Sequence, residues 1–263
     1  MTGKKIDAPL GKTRVRYSPR VPALTATALD DLAVWFDKHP TAYVAVSGGK
    51  DSTVCLHLAR QVKPDVKAVF FDSGLEFPQT RKYLERLTDA WEVDLVTYPA
   101  EPSALDVMAA NGTWEHGVPK MAKDDLHEAC ILRPLARAQA DFGRASVYGL
   151  RADESKTRLF LLSKGRGHVV KHDRAGNVEQ EYLAPIWRWG FDEVHAYISQ
   201  NGLPLNPIYK RLVELGVPER RARVGMLVDG WALEQGRWAL ARAIAPDLCR
   251  QVEARMPALA EYR

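Results

Sequence analysis

The sequence lacks any hydrophobic run of the roughly 18 residues that a membrane-spanning helix requires. Its basic start, MTGKKIDAPLGKTR, leads into no apolar stretch of the signal-peptide kind. The 3 cysteines, Cys55, Cys130 and Cys249, are odd in number and widely spaced, so neither a disulfide framework nor a complete iron–sulfur site fits within one chain. We therefore expect a cytoplasmic protein without a membrane partner and without a complete cluster of its own.

Apolar residues are plentiful enough for a full-sized core. Of the 263 residues, 46% are hydrophobic and 27% are charged, which is typical of a globular protein and not of a disordered one. The net charge of +4 mildly favours anionic ligands such as nucleotides. It falls short of the concentrated basic face that a nucleic-acid-binding protein usually has.

Strand-like and helix-like segments alternate along the first part of the chain. Short β-branched or aromatic runs, each close to turn residues, occupy residues 42–46, 66–71, 93–98 and 145–150. Between these runs, residues 52–61 and 80–91 repeat apolar side chains at helical spacing. Connections of this length imply parallel strands joined by right-handed crossovers. We therefore predict an open, mainly parallel, twisted α/β sheet with helices on both faces, whose ligands bind at the carboxyl ends of the strands.

The later part of the chain is predicted to add a hairpin and several helices. Residues 167–185 contain two strand-like runs around an Arg-Ala-Gly-Asn turn, which indicates a hairpin appended to the sheet. Residues 191–200 are predicted to be helical, and the proline-rich stretch 203–210 is predicted to be an irregular loop. Helices are also expected at 231–244 and 247–256.

The predicted domain organisation is simple. Residues 1–22 lack clear periodicity and are expected to form an N-terminal arm, with the first helix starting near Leu29. Residues 23–263 are expected to form one domain, in which about 212–263 is a helical C-terminal extension. We find no internal repeat and no low-complexity segment that would suggest another organisation.

A dense polar turn, SGGKDS, stands between the first strand and its helix at Ser47–Ser52. Two glycines let the backbone approach a ligand closely, and successive amides at a helix N-terminus form a nest for anions. Ser47 and Ser52 add hydroxyl donors, and Lys50 adds a positive charge. The alternative is a simple helix cap, which would account for one hydroxyl or carboxylate but not for the rest. We therefore predict a phosphate site. It is not a Walker loop, because the Walker spacing is absent, and it is not a nucleophile turn, because G-x-S-x-G is absent.

Four ordered segments resemble a known family. SGGKDS resembles the PP-loop of the adenine nucleotide α-hydrolase superfamily, whose members cleave or transfer at the α-phosphate and release pyrophosphate. Segments of the 3'-phosphoadenylyl-sulfate (PAPS) reductase family resemble FFDSGLEFPQT at 70–80, YGLRADESKTR at 148–158 and PIWRWGFDEVHAYISQNGLPLNPIYKR at 185–211. The resemblance implies a Rossmann-like fold and, as ligand, ATP or a related adenine nucleotide such as PAPS.

The resemblance also implies where the nucleotide lies. It places the adenosine portion against Asp72 and the adjacent backbone, and the phosphate or sulfate end against Arg151 and Arg158. Arginine suits this position because its planar fork binds phosphate or sulfate in a bidentate manner. For either arginine, the alternative is a surface ion pair with Asp153 or Glu154.

Metal and catalytic roles follow the same segments. Asp51 and Asp72 are the candidate Mg²⁺ ligands, because magnesium sites near phosphates usually use one or two carboxylates. Asp72 has the alternative of gripping a ribose or adenine group. The catalytic candidates are Lys50, Asp51 and Arg151. The predicted nucleotide-binding residues are Ser47, Gly48, Gly49, Lys50, Asp51, Ser52, Asp72, Ser73, Gly74, Gly149, Arg151 and Arg158.

The sequence departs from the reductases at its cysteines. Those enzymes resemble one another in an E-C-G-[LI]-H segment that carries the attacking cysteine, and no such string is present. Cys249 lies in a predicted amphipathic helix, where a buried thiol is the default, and Cys130 follows Ala129 where relatives have a cysteine pair. The intact SGGKDS turn suggests a triphosphate ligand, because sulfonucleotide reductases usually show a degraded loop.

Three functions stay open at this point. The leading hypothesis is an ATP pyrophosphatase or adenylyltransferase in sulfur metabolism or in sulfur or nucleic-acid modification, with an unidentified acceptor and a protein or nucleic-acid partner. The second is a sulfonucleotide reductase in which Cys130, Cys249 or an external thiol replaces the missing cysteine. The third is a catalytically silent nucleotide-binding subunit of a larger complex. A cluster of cations has three possible roles, which are to cover the mouth of the site, to contact a polyanionic partner or to form a solvated face. It consists of Lys210, Arg211, Arg220, Arg221 and Arg223.

Overall fold

The computed structural model describes residues 17–111, 123–225 and 237–261. Contacts divide the chain into two compact units, each assembled from several stretches of sequence. The first unit is Met1–Phe70, Leu84–Val96 and Ala138–Leu205, and the second is Phe71–Tyr83, Thr97–Arg137 and Asn206–Arg263. The division into an arm, one domain and a helical extension stays a prediction. None of the described helices combines the length and the apolar character needed to cross a lipid bilayer.

Six strands form one sheet. Their bounds are β1 Tyr43–Ala45, β2 Ala68–Asp72, β3 Leu95–Pro99, β4 Ala145–Tyr148, β5 His168–His172 and β6 Val178–Leu183. Their order across the sheet is β3-β2-β1-β4-β6-β5. β1 pairs in parallel with both β2 and β4, and β4 pairs in parallel with β6. The predicted mainly parallel α/β sheet is confirmed, and its strand order reverses between β1 and β4, where ligands bind in such sheets.

The predicted hairpin is confirmed, but it is part of the sheet and not an appendage. β5 pairs antiparallel with β6, and the turn between them is closed by Asp173, whose Oδ1 accepts hydrogen bonds from the amides of Ala175 and Asn177, both at 2.8 Å. β6 then pairs with β4, and only β5 lies at the edge. The buried side chains of Tyr182 and Leu183 explain why β6 lies inside the sheet.

The described helices connect and follow these strands. Their bounds are α1 Val21–Lys38, α2 Lys50–Val62, α3 Pro78–Trp91, α4 Ala104–Asn111, α5 Lys123–His127, α6 Arg133–Phe142, α7 Lys156–Lys164, α8 Phe191–Gln200, α9 Pro207–Glu214, α10 Arg237–Ile244 and α11 Pro246–Arg255. A π-helical turn spans Glu128–Leu132, and 3-10 turns span Ala152–Glu154, Glu219–Arg221 and Pro257–Glu261. The predicted helix at 231–244 lies partly outside the described residues.

Two boundary predictions were wrong. The first helix begins at Val21 and not near Leu29, because a proline in its first turn starts the helix and buried residues such as Leu32 recur along it. The stretch 203–210 is a loop only as far as Asn206. There the Asn206 side chain accepts a hydrogen bond from the Ile208 amide at 3.0 Å, which caps a helix that starts at Pro207.

Each unit has its own buried apolar residues. In the first unit, Val44 of β1, Leu58 of α2 and Val147 of β4 are completely buried. In the second unit, Met108 and Trp238 are completely buried. Burying one such side chain contributes about 1.5–3 kcal/mol. The polar turns that follow β1, β2 and β4 are therefore supported by rigid, apolar elements.

Candidate functional site

The turn between β1 and α2 is held in shape by its own hydroxyl groups. The Ser52 hydroxyl donates to the Gly49 carbonyl at 3.0 Å and accepts from the Ser47 amide at 3.2 Å. The Ser47 hydroxyl accepts from the Gly49 amide at 3.4 Å. Gly48 has a φ of 71°, a left-handed conformation that residues with side chains rarely adopt. These four predicted residues therefore shape the turn, and α2 begins directly after it at Lys50.

The chain after β4 approaches the first turn of α2 so closely that a side chain at Gly149 would not fit. A β-carbon at Gly149 would lie 2.6 Å from the Ser52 amide nitrogen and 2.7 Å from the carbonyl carbon of Asp51. The role of Gly149 in this structure is therefore to let two backbones meet. Their meeting brings the residues that follow β4 next to the residues that begin α2.

Three charged side chains contact one another in sequence at this junction, with a carboxylate between two buried cations. Lys50 Nζ lies 2.7 Å from Asp51 Oδ2, and Arg151 Nε lies 2.7 Å from Asp51 Oδ1. The side chains of Lys50 and Arg151 are each only 3% exposed. The structure thus brings the three predicted catalytic residues together at the N-terminus of α2, where the helix dipole favours negative charge.

Arg151 is also fixed by the residues that follow it. Its Nη1 donates to Asp153 Oδ1 at 2.5 Å and to the Trp189 carbonyl at 3.3 Å. Burial opposes the charge of the guanidinium, but Asp51, Asp153 and Glu154 outweigh burial and raise the pKa of Arg151. Arg151 therefore stays protonated, and the carboxylates of Asp51 and Asp153 fix the orientation of its guanidinium.

Arg158 lies in a different environment from Arg151. It forms an ion pair with Glu154, and its side chain is 41% exposed. Its amide donates to the Ser155 hydroxyl at 3.1 Å, which caps α7. In this structure Arg158 forms the ion pair with Glu154 that the sequence offered as an alternative. Arg151 pairs with Asp51 and Asp153 instead.

The second predicted turn follows β2 and belongs to the second unit. Asp72 Oδ1 accepts hydrogen bonds from the Gly74 amide at 2.9 Å and from Arg81 Nη2 at 2.8 Å. The Ser73 hydroxyl donates to Glu76 Oε1 at 2.9 Å. Asp72, Ser73 and Gly74 thus form a tight turn whose polar groups bond to one another.

Glu76 is a buried carboxyl that our sequence reasoning missed. Burial raises the pKa of Glu76 to about 7; the Ser73 hydroxyl and Arg81 limit the rise, and Asp72 adds to it. The signal in the sequence was an acidic residue between Leu75 and Phe77, both of which are buried. A carboxyl with this pKa can gain or lose a proton near neutral pH.

The two predicted Mg²⁺ ligands are already engaged by cations. Asp51 lies between Lys50 and Arg151, and Asp72 pairs with Arg81. Among the described residues, no group of three His, Cys, Asp or Glu side chains could hold a metal ion. Because a neutralised carboxylate attracts a hard cation weakly, the residues in this arrangement do not fit a Mg²⁺ site. A magnesium requirement stays a prediction.

All three cysteines are buried. Burial raises the pKa of Cys55 well above its usual value, and it raises the pKa values of Cys130 and Cys249 to about 11. Glu76 adds to the rise at Cys130, and Glu253 adds to it at Cys249. Since the thiolate is the nucleophilic form, none of the three is activated for attack at neutral pH.

Known proteins resemble the chain in sequence. The phosphoadenosine phosphosulfate reductase domain family matches residues 41–216. The phosphoadenosine 5'-phosphosulfate reductase of Escherichia coli O157:H7 is 32% identical over 190 residues, which cover 70% of this chain and 69% of that protein. The reductase of the same name from Serratia proteamaculans is 30% identical over 183 residues, which cover 67% and 69%.

Solved structures resemble the chain in fold. The phosphoadenylyl-sulfate reductase of Candida auris has a TM-score of 0.56 at 23% identity, covering 80% of this chain and 96% of that one. The FMN adenylyltransferase of Candida glabrata has a TM-score of 0.51 at 15% identity, covering 73% and 60%. These structures confirm the adenine nucleotide α-hydrolase-like fold. The family rests on the sequence matches: because the family matches residues 41–216 and a reductase is 32% identical over 70% of the chain, the chain belongs to the phosphoadenosine phosphosulfate reductase domain family.

Proposed function

We propose that the chain is a PP-loop enzyme that binds ATP at Ser47–Ser52 and cleaves or transfers at the α-phosphate. One observation carries the proposal: the buried cations Lys50 and Arg151 meet at the N-terminus of α2, directly after a glycine turn. Turn amides, a helix dipole and two buried cations together favour a polyanion.

The two cations can hold Asp51 and a phosphate at the same time. Asp51 offers one oxygen to each of them. An ammonium carries three donors and a guanidinium five, so the hydrogen bond from Lys50 to Asp51 and the ion pair between Arg151 and Asp51 leave donors on both groups. Because both side chains are buried, their attraction for a phosphate is only weakly screened by solvent and salt.

Reaction at the α-phosphate needs no nucleophile from the protein. An acceptor oxygen attacks the α-phosphorus in line, and the bond to the bridging oxygen breaks as pyrophosphate leaves with the electron pair. Lys50, Arg151 and the turn amides stabilise the negative charge of the leaving group. With water as acceptor the products are AMP and pyrophosphate, and with another acceptor oxygen the product is an adenylylated compound.

The cysteines support this proposal over reduction by a thiol of the chain itself. Reduction of a sulfonucleotide requires a thiolate that attacks the sulfonyl sulfur. Cys130 and Cys249 are buried, and their pKa values of about 11 keep both thiols protonated at neutral pH. Neither residue fits the role of the missing reductase cysteine.

A sulfonucleotide reductase that uses an external dithiol is the second candidate, and the names of the relatives favour it. One external thiolate would attack the sulfonyl sulfur and displace the nucleoside phosphate. The second thiol would then attack the first sulfur and release sulfite, so that the dithiol is oxidised to a disulfide and the sulfur is reduced. In this reading Lys50 and Arg151 neutralise the phosphate and sulfonyl oxygens.

Labelled nucleotides distinguish these candidates. The full chain is incubated with α-labelled and γ-labelled ATP and Mg²⁺, and products are separated by thin-layer chromatography. A parallel reaction contains PAPS and dithiothreitol, and sulfite is measured. We expect pyrophosphate release from ATP and its loss in Lys50→Met, with Lys82→Met on the exposed surface of α3 as the matched control.

Each result selects one function. Sulfite release without pyrophosphate release would contradict the ATP proposal and support the reductase. Nucleotide binding by calorimetry without turnover of either substrate would support the silent subunit. The absence of nucleotide binding to the folded protein would contradict all three.

A further inference from the structure

The surface formed by α7 and the first part of the following hairpin concentrates positive charge. We call residues 156–174 the α7 surface. Against a single acidic residue, Asp173, it carries Lys156, Arg158, Lys164, Arg166, Lys171 and Arg174. The excess of positive charge in residues 156–174 is therefore larger than the net charge of +4 of the whole chain, and the total charge does not reveal it. Within the described part of the chain, Arg158 is the only one of these cations in an ion pair, which it forms with Glu154.

The same surface exposes large apolar side chains. Of the 9 residues of α7, only Leu162 is buried, and it packs with Val169 and Tyr182. Leu159 is 52% exposed and Phe160 is 75% exposed. A helix held to the sheet by one buried side chain, with an aromatic ring in solvent between cations, is typical of an interaction surface.

We propose that the α7 surface binds single-stranded nucleic acid, with phosphates on the lysines and arginines and a base stacked on Phe160. Cations that follow a backbone combined with an exposed aromatic ring are the usual elements of such sites. The exposed leucine Leu159, one residue before Phe160, adds apolar contact for a sugar or base.

The charge and composition of the surface argue against other occupants. A second copy of the chain is disfavoured, because two surfaces of the same strong charge repel each other. An acidic protein fits the charge, but lysine is depleted in protein–protein interfaces, and half of the cations here are lysines. Phosphates accept lysine and arginine alike, so a nucleic acid fits the composition better.

The α7 surface begins where the nucleotide site ends. Arg151 is followed by the 3-10 turn Ala152–Glu154, and Ser155 then caps α7. A nucleic-acid strand bound on α7 would therefore be separated from Arg151 by only the 3-10 turn Ala152–Glu154. The inference goes beyond the proposed function, because it concerns a surface outside the nucleotide turn and its test requires no turnover.

Fluorescence anisotropy tests the inference directly. The probes are fluorescein-labelled oligothymidylate and oligouridylate of about 15 nucleotides, titrated with the full chain at about 50 mM and about 200 mM salt. We expect binding that weakens at higher salt. Phe160→Ala should lower the affinity about tenfold, and Phe160→Trp should retain it, because stacking on one ring accounts for that much. Lys164→Glu with Lys171→Glu should lower it by more than tenfold, roughly, because two phosphate contacts become repulsive.

The control variant makes the same charge change in the other cation cluster. Lys210→Glu with Arg211→Glu should leave the affinity within about twofold, since neither residue belongs to the α7 surface. Phe160 and both lysines are exposed, so the variants should fold; circular dichroism and the melting temperature check this.

Four results would overturn the inference. They are no binding of either probe at low salt, equal affinities for the wild type and the α7 variants, loss of binding in the control variant, and binding of a polyglutamate peptide in place of the oligonucleotides. The last result would assign the surface to an acidic protein. Failure of the proposed function is recognised separately, because a chain without ATP turnover can still be tested for oligonucleotide binding.

Discussion

The polar turns after β1 and β2 manage buried charge in different ways. After β1, the buried cations Lys50 and Arg151 share the carboxylate of Asp51. After β2, the buried carboxyl of Glu76 has a serine hydroxyl as its partner, and burial raises the pKa of Glu76 to about 7. The first turn therefore holds its buried charges in ion pairs, and the buried carboxyl of the second turn changes its charge within the physiological range.

The comparison is tested most strongly by removing the central cation. Arg151→Gln should lower the free energy of unfolding by about 3–5 kcal/mol, because it leaves carboxylates that were paired with a buried guanidinium. Urea denaturation at neutral pH measures the change. Arg158→Gln, which removes a guanidinium that is 41% exposed, should cost less than about 1 kcal/mol, and equal losses in the two variants would contradict the distinction.

The buried carboxyl of Glu76 in the second turn should make the stability of the fold depend on pH. The pKa of Glu76 is about 7 in the folded chain, against an ordinary value of 4.5 for a glutamate. The folded state therefore holds its proton more tightly, and stability falls as the pH rises from about 4.5 through about 7, by about 3 kcal/mol in total. Glu76→Gln cannot ionise, so the difference between the two stability curves isolates this carboxyl. A constant difference across that range would show that Glu76 does not titrate as we expect.

The close approach at the first turn can be broken without changing any charge. Gly149→Ala places a methyl group against the backbone of Asp51 and Ser52, and it should cost about 1–3 kcal/mol of stability. It should also weaken ATP binding, measured by calorimetry, because the turn and the residues after β4 move apart. Gly225→Ala is the matched control, since no atom of the described residues lies within 4 Å of its β-carbon position. Unchanged ATP affinity in a folded Gly149→Ala variant would separate the close approach from nucleotide binding.

The smallest effect is expected at the ion pair of the second turn, whose guanidinium is partly exposed to solvent. Asp72→Asn and Arg81→Gln should each lower the free energy of unfolding by less than about 1 kcal/mol, because Arg81 is 41% exposed and its ion pair is screened. Thermal melts at low and high salt measure both variants. If either variant lowered the free energy of unfolding by several kcal/mol, Asp72 would belong to a strongly coupled charge network like that of Lys50, Asp51 and Arg151.

Local patterns predicted the elements of the fold well. Alternating apolar runs indicated the strands before and after α2 and α3, and the Arg-Ala-Gly-Asn turn indicated the β5–β6 hairpin, because these signals need only neighbouring residues. The start of α9 was missed because the prolines concealed a helix start, in which Asn206 is the cap and Pro207 the first residue. That β6 pairs in parallel with β4 was also missed, because pairing between distant strands leaves no local signal.

The candidate site was predicted in part for the same reason. The motif placed Lys50, Asp51 and Arg151 in one site, and the structure brings these three together. The sequence raised the pair of Arg158 with Glu154 only as an alternative, and nothing in it indicated that Asp72 would pair with Arg81. The proton affinity of Glu76 could not be predicted either, because it depends on burial among residues from several elements.

The sequence by itself determined the mainly parallel α/β class, the glycine turn between β1 and α2 and the membership of the family, since these rest on local periodicity and on motifs. Only the tertiary structure decided which charges face one another, which carboxyl is buried with a raised pKa, and which helix is left exposed. Those properties depend on desolvation and on distances between residues far apart in the chain, and both arise only when the sheet has formed.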